Sequence, residues 1–320
     1  MKYSLMSLMV DSELKHETVN LIHRMMLRSV GVTEMPETAE EAYRLLNEHG
    51  IPMRNGSACF EDLVRFTKEN GFDGLDMMSF EMELPGSEHR ATLEKYGVVL
   101  SAVNILTPFS EAADEAEFGR MAEDTRRELD RAIEAGARKI LLVPGGYGRA
   151  EGRTREQTHA IMVRGLRESL DYVAGRDVFI STETLETTCL PWCALGEMER
   201  VFSALPDLKY THDTGNPLVA NEDPIALLER FRDRLISVHF KDLGPSDSPE
   251  DAYRCMDGDY LKLVTLGTGK VDYREHLRRL LAMGYDGYIT LEGGRPAADK
   301  WQEAVAALHY FRELEREIQG

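Results

Sequence analysis

Cysteine is scarce, positive charge is in deficit, and no long apolar run occurs. Only Cys59, Cys189, Cys193 and Cys255 are present in 320 residues. Their spacing matches no zinc framework, because three residues rather than two separate Cys189 from Cys193. Reduced thiols in a cytoplasmic protein are the expectation. Lys plus Arg number 38 against 56 Asp plus Glu, a formal net charge of −18. A nucleic-acid binder needs a basic footprint to displace phosphate counterions, so no nucleic-acid partner is expected. Anionic membrane surfaces are disfavoured for the same reason. No apolar stretch approaches the roughly 20 residues needed to cross a bilayer. The apolar run in "MKYSLMSLMVDSE" is too short for a signal peptide, and acid follows it. No internal repeat, low-complexity segment or dividing linker stands out, so residues 1–320 read as one domain.

What the chain has is a regular alternation of strand-like and helix-like segments, with 42% hydrophobic and 29% charged residues. Strand patterns fall at 3–10, 74–80, 97–106, 139–145, 178–183, 208–213, 235–242 and 288–292. Helical patterns fall at 16–30, 37–50, 60–71, 111–136, 154–174, 195–204, 223–233, 272–283 and 297–317. Thr38 is a candidate N-cap and Gly50 a C-cap of the second helix. Strands joined by helical crossovers are parallel. Eight of them in a chain of this length point to an α/β (β/α)8 TIM barrel rather than an open sheet. An open doubly wound sheet usually carries a glycine-rich turn after its first strand, and "MVDSELKH" has none. "VPGGYG" (143–148) lacks the dinucleotide spacing and reads as a plain loop. Two connections are long, 11–58 and 243–270; each is a lid, a binding loop or a surface insertion.

In such a barrel the active site gathers at the C-terminal ends of the strands. The fifth strand ends at Glu183, the sixth at Asp213, the seventh carries His239 and the eighth ends at Glu292. Each has an ordinary alternative: an Asp after a strand is often a turn former, and a lone strand His is often a core residue. Four consecutive strands with a metal-competent side chain at the same end are harder to explain that way. Three carboxylates at one mouth would repel one another and be costly to bury unpaired. A divalent cation resolves the conflict. The donor set suits one Mn²⁺ or Mg²⁺, with Co²⁺ or Zn²⁺ also compatible. Two open positions on an octahedral ion would remain to chelate adjacent substrate oxygens.

"THDTGN", "SVHFKD", "GTGKVDY" and "LLAMGYDGYITLE" resemble the sugar-phosphate isomerase/epimerase superfamily of xylose-isomerase-like TIM barrels. Ketose 3-epimerases, hydroxypyruvate isomerase, inosose dehydratase and 3-dehydroshikimate dehydratase belong to it. The resemblance is strongest over 178–295. It implies one metal ion held by Glu183, Asp213, His239 and Glu292, with Mn²⁺ first. It also implies acid/base roles for Glu183 and Glu292 on either side of the sugar. Two positions depart from the common pattern. Asn216 stands where many members have histidine, and Glu186 stands where ketose epimerases often have asparagine. Endonuclease IV, a DNA-repair relative, needs that histidine and a later Asp-x-His pair, which is absent after His239.

The leading expectation is a metal-dependent isomerase or epimerase of a sugar or related polyol ketone, acting through a metal-stabilised cis-enediolate. A lyase (dehydratase) on the same site is the alternative, since both begin with the same proton abstraction. A metal-dependent hydrolase and a non-catalytic carbohydrate-binding barrel come behind these. The partner is a small sugar or polyol, and a homo-oligomer is compatible with the sequence. Glu186, Asn216, Lys241 and Arg295 are the candidate substrate contacts. Arg295 follows Gly-Gly at the mouth, where such barrels often bind phosphate, or is a surface arginine. Lys241 contacts substrate or pairs with Asp242. Glu81 and Glu83 could reach a substrate hydroxyl but read first as a solvated loop. His212 should point away from Asp213 and be structural. Trp192 could cover the apolar face of a sugar.

Overall fold

The computed structural model describes residues 1–20, 23–24, 26–27, 30–51, 53, 55–146, 148–250, 252–293 and 299–320. Strands are numbered in chain order: β1 Lys2–Met6, β2 Gly74–Met78, β3 Leu100–Leu106, β4 Lys139–Val143, β5 Phe179–Thr182, β6 Lys209–Asp213 and β7 Leu235–Phe240. Three short strands follow, β8 Leu243–Pro245, β9 Tyr253–Arg254 and β10 Tyr260–Leu263, and then β11 Tyr288–Leu291.

The expected parallel barrel forms. Strands β1 to β7 and β11 close it in the order β1-β11-β7-β6-β5-β4-β3-β2, and every pairing between them is parallel. Alternate residues point to opposite faces, so each strand divides its side chains between the barrel interior and the helices outside. Leu5, Leu75, Val103, Ile105, Ile140 and Ile289 belong to the buried apolar cluster that packs strands against helices. The register places Asp213 level with His239 and His239 level with Thr290. Asp213, His239 and, one pleat beyond Thr290 and just past β11, Glu292 therefore leave one end of the barrel on its inner side. Thr38, Asp114, Thr154, Asp223, Asp272 and Asp299 cap helix N-termini by accepting backbone N–H groups.

Several sequence expectations need correction. The first strand stops at Met6, and Ser7–Glu13 is a 3₁₀ turn. Met9 and Val10 are buried by that turn, so an apolar run that looks like continuing strand is the chain bending across the mouth. A helix at 16–30 is not present at its start: Thr18 bridges Thr38, and the Asn20 side chain accepts the His23 N–H at 3.0 Å. Helical backbone follows at His23, Arg24, Met26 and Leu27, Val30 is in a turn, and residues 21, 22, 25, 28 and 29 lie outside the described residues. The helix Gly86–Tyr96, absent from the sequence assignment, joins β2 to β3. The connection 243–270 is not a bare loop, because β8, β9 and β10 form an antiparallel sheet in the order β8-β10-β9. Strands of two to four residues carry too little alternation to be read. No helix among the described residues is long and apolar enough to cross a membrane.

Candidate active site

The segment His212–Asn216 shows how the site is built. Asp213 ends β6, and its Oδ1 accepts the backbone N–H of Gly215 at 2.8 Å and of Asn216 at 2.6 Å. This Asx turn fixes the carboxylate and leaves Oδ2 buried with no hydrogen-bond partner. Thr214 stitches β6 to β7: its N–H donates to the His239 carbonyl at 3.1 Å, and its hydroxyl donates to the Lys241 carbonyl at 2.8 Å. Gly215 has an ordinary φ of −96°. It is needed for space, since a Cβ there would come within 3.1 Å of the Lys241 Cγ and carbonyl oxygen. His212 points outward as expected, takes a hydrogen bond with the Tyr210 hydroxyl at 3.1 Å and stacks on His276.

Glu183, one residue past β5, and His239, in β7, meet Asp213. One ligand atom from each lies within 4.8 Å of the others, and all three residues are buried. The His239 Nδ1 faces Glu183 Oε2 at 3.3 Å and Glu292 Oε2 at 3.2 Å, while Nε2 faces Asp76 Oδ2 at 3.4 Å. These are close approaches without hydrogen-bond geometry. Glu183 Oε2, Asp213 Oδ2 and both ring nitrogens of His239 count among the described buried atoms that lack a hydrogen-bond partner. Buried polar atoms are normally satisfied. Three unpartnered donors converging on one point fit a divalent cation, which would satisfy them together. Two carboxylate oxygens and one imidazole nitrogen are a donor set for Mn²⁺, Mg²⁺, Co²⁺ or Zn²⁺. Glu292 is outside this three-residue group; its Oε1 meets the Lys241 ammonium at 2.8 Å.

The electrostatics follow from burial and proximity. Burial, then the Glu292 charge, raises the Glu183 carboxyl above its ordinary range. Burial, with the charges of Glu292 and Glu183, pushes Asp213 up despite Lys241. Burial opposes charge on His239, but Asp76, Glu183 and Glu292 outweigh it and hold the imidazolium. Burial likewise opposes ionisation of Glu292, yet Lys241 and His239 keep its carboxyl below the usual range. A bound cation would displace the imidazole proton and favour both carboxylates as anions.

A cavity of about 340 Å³ opens over these groups, lined by Glu183, Glu186, His239, Lys241 and Glu292 among others. That volume suits a small molecule. Glu186 sits on its wall, 3.8 Å from the Lys241 ammonium. Lys241 does not pair with Asp242, whose carboxylate instead accepts the N–H groups of Gly267, Gly269 and Val271. A Cβ at Gly269 would collide with that carboxylate. Asn216 is not on the cavity wall: it is fully buried, and its amide donates to the Thr184 carbonyl at 2.7 Å. Arg295 lies outside the described residues.

Two lesser expectations fail, those for Glu81 and Trp192, while Glu83 is exposed as expected. Glu81 is buried rather than solvated; it accepts from the Ser7 hydroxyl, and burial together with Asp11 raises its carboxyl. Glu83 accepts the N–H groups of Glu17 and Thr18 and faces His16, tying the first connection to the barrel. Trp192 is fully buried with its indole N–H on the Thr182 hydroxyl, so it is core and does not cover a ligand. Sequence reasoning also passed over two residues. Asp76, in β2, is fully buried, accepts from Asn104 at 2.8 Å and from Thr290 at 2.7 Å, and faces His239. Asn104, in β3, lines the cavity. The available signal was a polar residue at an inward position of an otherwise apolar strand.

The chain is similar to proteins of this architecture over most of its length. It is 24% identical over 244 residues to a 3-dehydroshikimate dehydratase of Bacillus anthracis, covering 72% of this chain and 84% of that one. It is 31% identical over 105 residues to an inosose dehydratase of Lacticaseibacillus casei. That match covers 31% of this chain and only 35% of the relative, about a third of its length. Among solved structures, the IolI protein with a bound zinc atom superposes with a TM-score of 0.67 at 13% identity, covering 99% of both chains. Residues 64–313 match the family model of the xylose isomerase-like TIM barrel. With the closed eight-stranded barrel, that match shows that the chain belongs to the xylose isomerase-like TIM barrel family.

Proposed function

We propose that the protein is a divalent-metal-dependent enzyme that removes the proton alpha to the carbonyl of a sugar or related polyol ketone, with isomerisation or epimerisation as the outcome. The carrying observation is the convergence of unpartnered buried atoms of Glu183, Asp213 and His239, of which Glu183 and His239 line the cavity and Asp213 lies buried beside them. In this reading those three residues hold the ion and Glu292 completes the set or stands beside it. Mn²⁺ is the first choice and Mg²⁺, Co²⁺ or Zn²⁺ the others. A bound ion would supply Lewis-acid polarisation of the carbonyl. Glu183 and Glu292 are the two cavity carboxylates that also face His239. One takes the alpha proton, and the other returns a proton to the neighbouring atom or the opposite face. Asp76 faces His239 Nε2 at 3.4 Å and, as acceptor of an Nε2–H, would direct Nδ1 toward the ion. Lys241 holds Glu292 as the anion and, with Glu186, offers hydrogen bonds to substrate oxygens. We read the chain as one barrel domain acting on a small molecule, not a nucleic acid.

Dehydration is the second reading. The similarity to dehydratases supports it, and the Lys241 ammonium in the cavity could stabilise a departing hydroxide. Both outcomes start with the same proton transfer, so the test has two parts. Incubation with candidate ketones in D₂O should exchange the carbon-bound proton, and chelation should stop it. Product mass from a parallel reaction in H₂O then separates the outcomes: unchanged for isomerisation, less one water for dehydration. Exchange that survives removal of the metal would sink the proposal.

A further inference from the structure

The cavity has two unlike halves. The ends of β5, β7 and β11 bring the carboxylates and the imidazole, with Asp213 of β6 buried behind them. Strands β1 to β4 contribute Met6, Met78, Asn104, Leu106, Leu141 and Val143 to the lining. Phe80, just past β2, and Leu185, just past β5, extend the same surface. Phe80, Leu106 and Val143 keep part of their surface open to the cavity, unlike the fully packed Val103 and Ile105 on the outer face of β3. Asn104 is the one polar side chain among the six lining residues from these four strands. Its amide N–H₂ is spent on Asp76, while its Oδ1 is buried without a hydrogen-bond partner.

A free ketose carries a hydroxyl on almost every carbon. With two adjacent oxygens directed to the acidic half, any hydroxyl turned toward β1 to β4 rather than toward Thr187, Thr188, Tyr253 or Arg254 would be desolvated against methyl and methylene groups. One asparagine oxygen could accept from only one or two such hydroxyls. Each unpaired hydroxyl would weaken binding about tenfold or more. A hydrocarbon portion would instead gain from the same wall.

Resting on the proposed α-hydroxyketone chemistry, we propose that the substrate is amphiphilic. Its oxygenated end faces Glu183 and His239. A deoxygenated, alkyl or aromatic portion lies against Met6, Met78, Leu106 and Val143, and a boundary hydroxyl donates to Asn104 Oδ1. The substrate class is a hydroxyketone bearing a hydrocarbon portion, not a fully hydroxylated open-chain ketose.

The test is calorimetric binding to the Mn²⁺-loaded protein of three probes: dihydroxyacetone, D-fructose and 1-hydroxy-4-phenylbutan-2-one. The phenyl ketone should bind at least about tenfold tighter than either polyol. Leu106→Asn should cut the ratio of phenyl-ketone to dihydroxyacetone affinity by about tenfold. The wild-type comparison needs no variant, so a misfolded Leu106→Asn leaves the test intact. Fructose binding as tightly as the phenyl ketone, or no binding of the phenyl ketone, overturns the inference. A chelated sample separates this from the metal reading. If chelation leaves dihydroxyacetone affinity unchanged while the phenyl preference persists, the metal reading fails and the apolar subsite stands. If dihydroxyacetone needs the metal but the phenyl group adds nothing, the reverse holds.

Discussion

The two halves of the barrel mouth share a backbone and differ in what their strands deliver. At the inner ends of β5, β6, β7 and β11 stand Glu183, Asp213, His239 and Glu292; at those of β1 to β4 stand Met6, Met78, Leu106 and Val143. Strand geometry aims both sets alike, with alternate residues turned inward. In the proposed reading the barrel separates chemistry from recognition. The acidic half carries buried polar atoms without hydrogen-bond partners that fit a cation, and the apolar half carries hydrocarbon surface facing the cavity. Asp76 crosses the boundary, because it grows from the apolar side and faces the imidazole of the acidic side at 3.4 Å.

The comparison breaks first at the two glutamates. Glu183→Gln and Glu292→Gln keep size and one oxygen but remove the proton shuttle. Each should lower turnover by at least about 10²-fold with metal still bound. Steady-state rates alongside metal content decide this; near-normal turnover would reduce both residues to ligands. Next comes the boundary. Asp76→Asn removes the charged acceptor for His239 Nε2–H and should weaken metal retention by about 10–100-fold in a chelator competition. A purely structural role would lower stability and leave that competition unmoved.

The smallest effect sharpens the apolar half. Ile105 and Leu106 are neighbours on β3, one packed outward at 1% exposure and one on the cavity wall. Ile105→Ala should cost about 2–5 kcal/mol in denaturant unfolding. Leu106→Ala should cost less than about 1 kcal/mol, because its side chain faces open cavity rather than packed core. Equal losses would make Leu106 ordinary core and remove the wall it is meant to form.

The acidic half was legible because charge at a strand end is costly and calls for a reason. Glu183, Asp213, His239 and Glu292 stood out in apolar surroundings, and the parallel alternation placed them at one end. The apolar half was not legible. Met78 or Leu106 in a strand reads as core, and only the closed barrel shows that these side chains face a cavity. Asp76 and Asn104 escaped because they lie one pleat below the strand ends. Glu81 was misread because an acid beside a turn looks solvated, whereas the 3₁₀ turn Ser7–Glu13 folds over it and Ser7 bonds it. That turn was misread in its own right: Met9 and Val10 have the same apolar signature whether strand or bend buries them. The antiparallel sheet within 243–270 was missed because its strands have two to four residues.

Metal content, read together with isotope exchange, tests the central claim most directly. Elemental analysis of the purified protein should find about one divalent ion per chain. Asp213→Ala should lose it, and chelation should abolish D₂O exchange into a bound hydroxyketone until Mn²⁺, Mg²⁺ or Co²⁺ is returned. A metal-free preparation that exchanges that proton at the full wild-type rate would contradict the account.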